Sequence, residues 1–115
     1  MKDNPWTGVD FDGTLAKHIE GSGVEDLGQP IPEMVARVKK MLREGRVVKI
    51  MTARVGNTTA GQVKEQTAQI EAWCEKYIGQ KLEVTATKDY NMVELYDDRA
   101  VQIIPNTGRR ADGKA

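Results

Sequence analysis

Residues 5–15 read PWTGVDFDGTL, and within this stretch a short strand runs straight into an acidic turn. We predict the strand over residues 5–9, where Gly8 weakens it because glycine has no side chain to pack. Asp10 and Asp12 follow where the strand ends, and an Asp–Gly pair is typical of a turn. The stretch therefore predicts a strand that delivers two carboxylates to the edge of a sheet.

Outward from this stretch, helices and strands alternate along the chain. Pro32 suits the first turn of a helix, and Gly45 suits the position just after its end. A second helix is predicted over residues 59–78. The further predicted strands cover residues 46–51, 82–87, 92–96 and 101–104. This alternation predicts an α/β fold, a single three-layer Rossmannoid domain with a mostly parallel sheet covered on both faces.

Apolar residues at helical spacing predict which face of each helix is buried. In the first helix they are Met34, Val35, Val38, Met41 and Leu42, and in the second the inner face is predicted to hold Val63, Thr67, Ile70, Cys74 and Tyr77. Residues 16–29 show no clear period, so we expect a loop or a small hairpin there.

The composition limits the classes of function. The 115 residues fit one domain, predicted over residues 1–106, with residues 107–115 as a flexible, basic C-terminal tail. The 17 basic and 17 acidic residues give no overall attraction to nucleic acid or to an anionic membrane. No stretch approaches the ~20 apolar residues of a membrane span, and no signal-like apolar run precedes Asp10. With a single cysteine, we expect a cytoplasmic protein without a membrane partner.

Polar residues follow several of the predicted strands. Those expected at or just past a carboxyl end are Asp10, Asp12, Thr52, Lys88, Asp97 and Asp98. In parallel sheets these ends meet at one edge, where ligands bind. Carboxylates crowded there require a cation, and a set without histidine or cysteine favours Mg²⁺. Singly, each residue could be an ordinary turn, cap or solvated side chain, but together they favour phosphoryl chemistry.

At these positions the sequence resembles the haloacid dehalogenase (HAD) phosphohydrolases. Asp10-Phe11-Asp12-Gly13-Thr14-Leu15 looks like the first signature of that family, Thr52 the second, Lys88 the third and Asp97-Asp98 the fourth. The resemblance runs from residue 6 to about residue 105, and it implies a HAD-like fold. Residues 16–32 are too short for a cap domain, and residues 54–87 are used by one helix and one strand. The chain therefore resembles a capless member with an open site.

The resemblance also implies roles for individual residues. Asp10 would be the nucleophile that becomes phosphorylated, and Asp12 the general acid and base. Mg²⁺ would be held by Asp10, by the backbone carbonyl of Asp12 and by Asp98, with Asp97 next to Lys88. Thr52 and Lys88 would hold the phosphoryl oxygens, and the predicted substrate-binding residues are Gly13, Thr14, Ala53 and Arg54. The implied substrate is a phosphorylated small molecule in preference to nucleic acid, and a neighbouring subunit could cover the site.

Three other interpretations stay open. A polynucleotide 3′-phosphatase would use Arg54, Arg99 and the tail to contact the backbone, although neutral charge and few aromatic residues count against it. A receiver-like phospho-switch also places acids, a threonine and a lysine around Mg²⁺. It needs a phosphorylatable aspartate at the end of a middle strand, but the strand over residues 47–51 is followed by Thr52. A HAD-like scaffold that only binds partners would have lost charged site residues, and none is missing here.

Overall fold

The computed structural model describes residues 4–18 and 26–115, and it confirms an α/β fold with a wholly parallel sheet. The elements, in order, are β1 (Trp6–Val9), α1 (Pro32–Arg43), β2 (Val47–Met51), a short 3₁₀ helix (Ala53–Val55), α2 (Ala60–Tyr77), β3 (Glu83–Thr85) and β4 (Met92–Tyr96). Among the described residues, no helix is both long and apolar enough to cross a membrane.

The helices begin and end at the residues that the sequence indicates. Pro32 is the first residue of α1, and the Thr59 side chain accepts a hydrogen bond from the N–H of Gln62 at the start of α2. Gly45 and Gly79 follow the two helices with φ of +82° and +105°, a conformation that glycine adopts without steric cost. Local chemistry therefore sets the length of both helices.

The order of the strands in the sheet is β3-β2-β1-β4. The chain steps from β1 to β2 to β3 in one direction, and β4 then pairs with the other side of β1. The strand order thus reverses between β1 and β4, the kind of place where open parallel sheets bind ligands. The N–H of Asp10 donates to the carbonyl of Tyr96 at 2.9 Å, which joins the carboxyl ends of these two strands.

Both helices pack on the same face of the sheet. The core there combines both helices with β1 and β2: Val9, Val35, Val38, Met41, Val48, Ile50, Ile70, Trp73 and Cys74 are buried in one cluster. Two right-handed crossovers that step in one direction place their helices on one side, which explains this arrangement. The prediction of three layers is therefore not met by residues 4–18 and 26–115, which form two layers.

The opposite face of the sheet is covered by its own side chains. Trp6 is buried there, with its Nε1–H donating to Asp89 Oδ1 at 2.8 Å and the Lys49 ammonium 4.7 Å from its ring centroid. A Cβ on Gly8 would lie 3.1 Å from the Leu95 side chain and 3.1 Å from the Trp6 ring. Gly8, which looks like a weak point in the strand, is what lets these side chains close over β1.

The buried face of α2 is rotated from the predicted one. Ile70 and Cys74 are buried as expected, but Gln66 and Trp73 complete the buried set while Val63 is only partly covered. Both of these residues have polar partners outside the helix. Gln66 Oε1 accepts a hydrogen bond from Arg54 at 3.1 Å, and the Trp73 Nε1–H donates to the carbonyl of Gly28 at 2.9 Å. Tertiary hydrogen bonds therefore shift the face that apolar spacing alone predicts.

Residues 101–104 do not form the predicted last strand. They are exposed and pair with the tail instead, through one isolated bridge between Ile103 and Arg110 and a hydrogen bond from the N–H of Ile104 to the carbonyl of Arg109 at 2.8 Å. A tight turn brings this nearby partner at a smaller entropic cost than docking on the sheet edge.

The loop that follows the acidic turn starts as a narrow hairpin. Lys17 donates from its N–H to the carbonyl of Gln29 at 2.8 Å, and Ala16 bridges Pro30 in antiparallel fashion. This agrees with the predicted loop or small hairpin over residues 16–29, of which residues 19–25 lie outside the described part of the chain.

Candidate functional site

A cleft of about 510 Å³ opens at the carboxyl edge of the sheet. Its lining comprises Asp10, Asp12, His18, Met51, Thr52, Ala53, Arg54, Ala86, Asp97, Asp98 and Arg99. Seven of these residues were predicted from the sequence as site residues, and all seven follow the ends of β1, β2 or β4: Asp10, Asp12, Thr52, Ala53, Arg54, Asp97 and Asp98. The cleft thus lies where the strand order reverses.

Three carboxylates meet at one side of this cleft. Asp10, Asp97 and Asp98 each offer an oxygen atom, and the three atoms lie within 4.8 Å of one another. Asp10 is half-buried and follows a central strand, so its charge is the most poorly solvated of the three. Oxygen ligands at this spacing suit a hard divalent cation.

Asp10 and Asp98 do not titrate independently. Burial, a hydrogen bond with Asp98 and the charge of Asp97 raise the pKa of Asp10 to about 7. Burial alone would raise the pKa of Asp98 as well, but its hydrogen bonds with Asp10 and Thr14 lower it below the usual range. Without a cation, the cluster therefore relieves its repulsion by keeping a proton on Asp10.

The turn after β1 shapes the position of Asp98. The Thr14 hydroxyl oxygen lies 3.1 Å from Asp98 Oδ1 and accepts the N–H of Asp98 at 3.0 Å. Gly13 has a φ of +86°, and a Cβ there would lie 2.8 Å from Asp98 Oδ2. Gly13 and Thr14, predicted to bind substrate, are absent from the lining of the cleft, and the Thr14 hydroxyl contacts the carboxylates of Asp98 and, at 3.4 Å, Asp10.

Thr52 is buried, with 4% of its surface exposed, and it belongs to both the framework and the cleft. Its N–H donates to the carbonyl of Thr85 at 2.9 Å, and its hydroxyl oxygen accepts the N–H of Arg54 at 3.2 Å. Thr52 therefore caps the 3₁₀ helix. Because its hydroxyl oxygen is the acceptor in this bond, the hydroxyl proton stays available for an anionic ligand.

Asp12 points away from the carboxylate cluster and pairs with Arg54. The Nε–H and an Nη2–H of Arg54 donate to the two Asp12 oxygens at 2.7 Å and 2.8 Å, a bidentate arrangement. The first two acids of the sequence motif therefore face different partners, as expected if they have different roles. Apolar and charge patterns give no indication of this pair, which spans 42 residues.

Lys88 is not brought to the cleft. It lies three residues beyond β3, is exposed, and is absent from the lining. The expected ion pair between Lys88 and Asp97 is missing among the described residues, where Asp97 instead accepts the N–H of Arg99 at 2.8 Å. This lysine sits on the loop between β3 and β4, and within residues 4–18 and 26–115 no hydrogen bond or ion pair holds its side chain near the acids.

Two cationic or titratable side chains complete the rim. Arg99 follows the acidic pair directly, so its place in the chain already indicates the site, although the sequence gives it a role only in the polynucleotide interpretation. His18, the single histidine, lies in no motif and is found at the cleft only through the fold.

The cleft thus offers two kinds of group. Its clustered carboxylates suit a cation, and the hydroxyl of Thr52 and the guanidinium groups of Arg54 and Arg99 line the same space. Such a set can bind a cation and an anion side by side. Comparisons with protein-family models, with curated proteins and with solved structures found no match to this chain.

Proposed function

We propose that the chain is a Mg²⁺-dependent phosphomonoester hydrolase of the HAD type. The observation that carries the proposal is the cluster of Asp10, Asp97 and Asp98 at the reversal of strand order, with Asp12 held apart by Arg54. One carboxylate in the cluster can then attack while another, outside it, handles the proton.

The clustered oxygens fit Mg²⁺, since the raised pKa of Asp10 marks a place that favours a positive partner. The residues that would hold the ion are Asp10, Asp98 and the backbone carbonyl of Asp12. Bound there, the ion would neutralise charge on the phosphoryl oxygens.

The chain's own residues would carry the reaction in two steps. Asp10 attacks phosphorus, the bond to the ester oxygen breaks, and Asp12 donates a proton to the departing alkoxide. Asp12 then takes a proton from water as that water attacks the phosphoryl group on Asp10, which releases inorganic phosphate and regenerates the free carboxylate. Thr52 would donate its hydroxyl proton to a phosphoryl oxygen during both steps.

The substrate favoured by the cleft is a small phosphate ester. The cleft is open to solvent and has no cap above it in the described residues, and the chain carries no net charge to attract a polynucleotide. A second copy of the chain could cover the opening.

A receiver-like phospho-switch is a second candidate. Asp10 ends β1, a central strand, so the position of the acceptor is compatible with a switch. The difference lies in the fate of the phosphoryl group, because a hydrolase turns over whereas a switch retains it. Asp12, two residues beyond Asp10 and lining the same cleft, favours turnover.

The test is hydrolysis of a panel of phosphomonoesters, including para-nitrophenyl phosphate, with Mg²⁺ or with excess EDTA. We expect many turnovers with Mg²⁺, none with EDTA, and none from Asp10→Asn. Asp112→Asn is the matched control, since it removes an aspartate from the tail, where Asp112 pairs with Arg110. Full activity of Asp10→Asn would refute the assigned nucleophile, and a single turnover with a stable phosphoprotein would favour the switch.

A further inference from the structure

Arg54 is held by an unusually complete set of contacts. Besides the two bonds to Asp12, its Nη1–H donates to Gln66 Oε1 at 3.1 Å and an Nη2–H donates to the carbonyl of Asp26 at 3.1 Å. Its guanidinium carbon also lies 5.9 Å from the centroid of the Phe11 ring. Only 11% of the side chain is exposed, so these contacts fix its position inside the wall of the cleft.

These contacts limit what Arg54 can do. A guanidinium has five N–H donors, and the bonds to Asp12, Gln66 and Asp26 occupy at least four of them. An arginine that clamps a phosphoryl group needs a pair of donors aimed at the ligand. Arg54 could supply that pair only by giving up at least one of the bonds that hold it in place.

Gln66 is buried although its side chain is polar. It is a polar residue on α2 with 5% of its surface exposed, and it bonds to Arg54. Burying an amide is unfavourable unless its hydrogen bonds are made, and the bond to Arg54 meets part of that requirement. The helix thereby anchors the arginine from the side opposite Asp12.

We propose that Arg54, anchored by Gln66, is a positioning residue for Asp12 and not a ligand of the transferred phosphoryl group. This inference rests on the proposed function and revises the substrate-binding role that the sequence suggests for Arg54. The bidentate pair restricts Asp12 to one orientation in the wall of the cleft. To act as the acid, Asp12 binds a proton on one oxygen and gives up the Arg54 bond there, while the bond to its other oxygen keeps the carboxyl group in place as the proton passes to the leaving oxygen. Loss of the pair should therefore impair proton transfer more than substrate binding.

The leaving group reports on this role. An alkyl phosphate needs a proton on its departing oxygen, whereas para-nitrophenolate is stable as an anion and needs little help. The ratio kcat/KM includes the step in which the ester bond breaks and excludes the later hydrolysis of the phosphorylated aspartate. For Arg54→Lys and Gln66→Met we expect kcat/KM to fall about 10- to 100-fold on the alkyl ester and only a few-fold on the nitrophenyl ester, since general acid catalysis contributes ~10²–10⁴-fold.

Arg46→Lys is the matched control, because Arg46 also pairs with a carboxylate, that of Glu94, but lies at the amino end of β2 and outside the cleft. Arg46→Lys should change kcat/KM only slightly, and by the same factor on both esters. Equal losses on the two esters in Arg54→Lys, with a raised KM on each, would overturn the proposal and assign Arg54 to the phosphoryl group.

A second measurement does not depend on activity. In EDTA, the shifts in urea midpoint of Asp12→Asn, Arg54→Met and the double variant should be clearly non-additive, because each single change breaks the same ion pair and leaves one charge without the opposite charge beside it. Additive shifts would overturn the coupling between the two residues. If the wild type hydrolysed no ester, the proposed function would fail while this cycle would still decide whether Arg54 holds Asp12.

Discussion

Asp10→Asn should stabilise the metal-free protein while removing its response to Mg²⁺. At a separation of 4.8 Å, two ionised carboxylates repel by about 3.5 kcal/mol at an effective dielectric constant of ~20 and about 0.9 kcal/mol in water. Asp10 is half-buried, so its repulsion with Asp97 and Asp98 lies between these limits. After allowing for solvent screening, we expect a gain of about 1–2 kcal/mol at pH 8.

The sign depends on pH. The pKa of Asp10 is about 7 in the folded chain and near 3.8 when unfolded, so between these values the folded state binds more protons. The stability of the metal-free wild type therefore falls as pH rises from about 4 to 7. The lowered pKa of Asp98 opposes this trend only near pH 4, where part of the unfolded chains still carry a proton on that carboxylate; at higher pH it is ionised in both states. The advantage of Asp10→Asn should be clearly smaller at pH 5 than at pH 8, where it is nearly complete.

The assay is thermal unfolding at pH 5 and pH 8, in EDTA and in excess MgCl₂. A gain of about 1–2 kcal/mol corresponds to roughly 5–10 °C in Tm for a domain of this size. Mg²⁺ at a hundred times its Kd would add about 2.7 kcal/mol to the wild type and little to Asp10→Asn. Asp112→Asn serves as the control and should behave like the wild type.

The reasoning would be refuted by a lower Tm for Asp10→Asn in EDTA at pH 8, with a Mg²⁺ response equal to that of the wild type. Far-UV circular dichroism before heating verifies that each variant is folded, so that a low Tm reports on the carboxylates.

Further expectations concern individual residues. Gly13→Ala and Gly45→Ala impose the same backbone strain, about 1–2 kcal/mol, but only at Gly13 would the new Cβ meet a carboxylate, that of Asp98. In urea unfolding, Gly13→Ala should therefore lower the free energy of unfolding by about 1 kcal/mol or more beyond the loss in Gly45→Ala, and equal losses would contradict the close packing against Asp98. Asp98→Asn should raise the Mg²⁺ concentration needed for half-maximal activity about tenfold or more, and more than Asp97→Asn does; the reverse order would exchange their roles. Cys74 is buried and its pKa is raised to about 12 by burial, so a thiol reagent should modify it only when the protein is unfolded; rapid reaction of the native protein at pH 8 would show that the core opens.

Local chemistry determined the helices, the strands of the sheet and the approximate edge where the site forms. Pro32, Gly45 and Gly79 act on their own neighbours, so the limits of the helices can be predicted from residues close in sequence. The convergence of Asp10 and Asp97 was also predictable, because the carboxyl ends of parallel strands meet at one edge whatever the strand order is.

The tertiary structure alone decided which residues pair across that edge. Arg54 and Asp12 are 42 positions apart, and their bidentate contact depends on how the 3₁₀ helix is oriented over the first turn. Gln66 is buried and bonded to Arg54, which no apolar spacing along α2 could indicate. Lys88 carries the charge expected of a phosphate ligand, but its loop leaves it outside the cleft.

The layers of the fold were likewise a tertiary outcome. Alternation of strands and helices predicts crossovers but not the direction in which each one steps, and two steps in the same direction put α1 and α2 on one face. Residues 101–104 have the composition of a strand, yet they pair with the nearby tail. Strand pairing depends on which partner is in reach once the chain has folded, and that information is not contained in any single segment of the sequence.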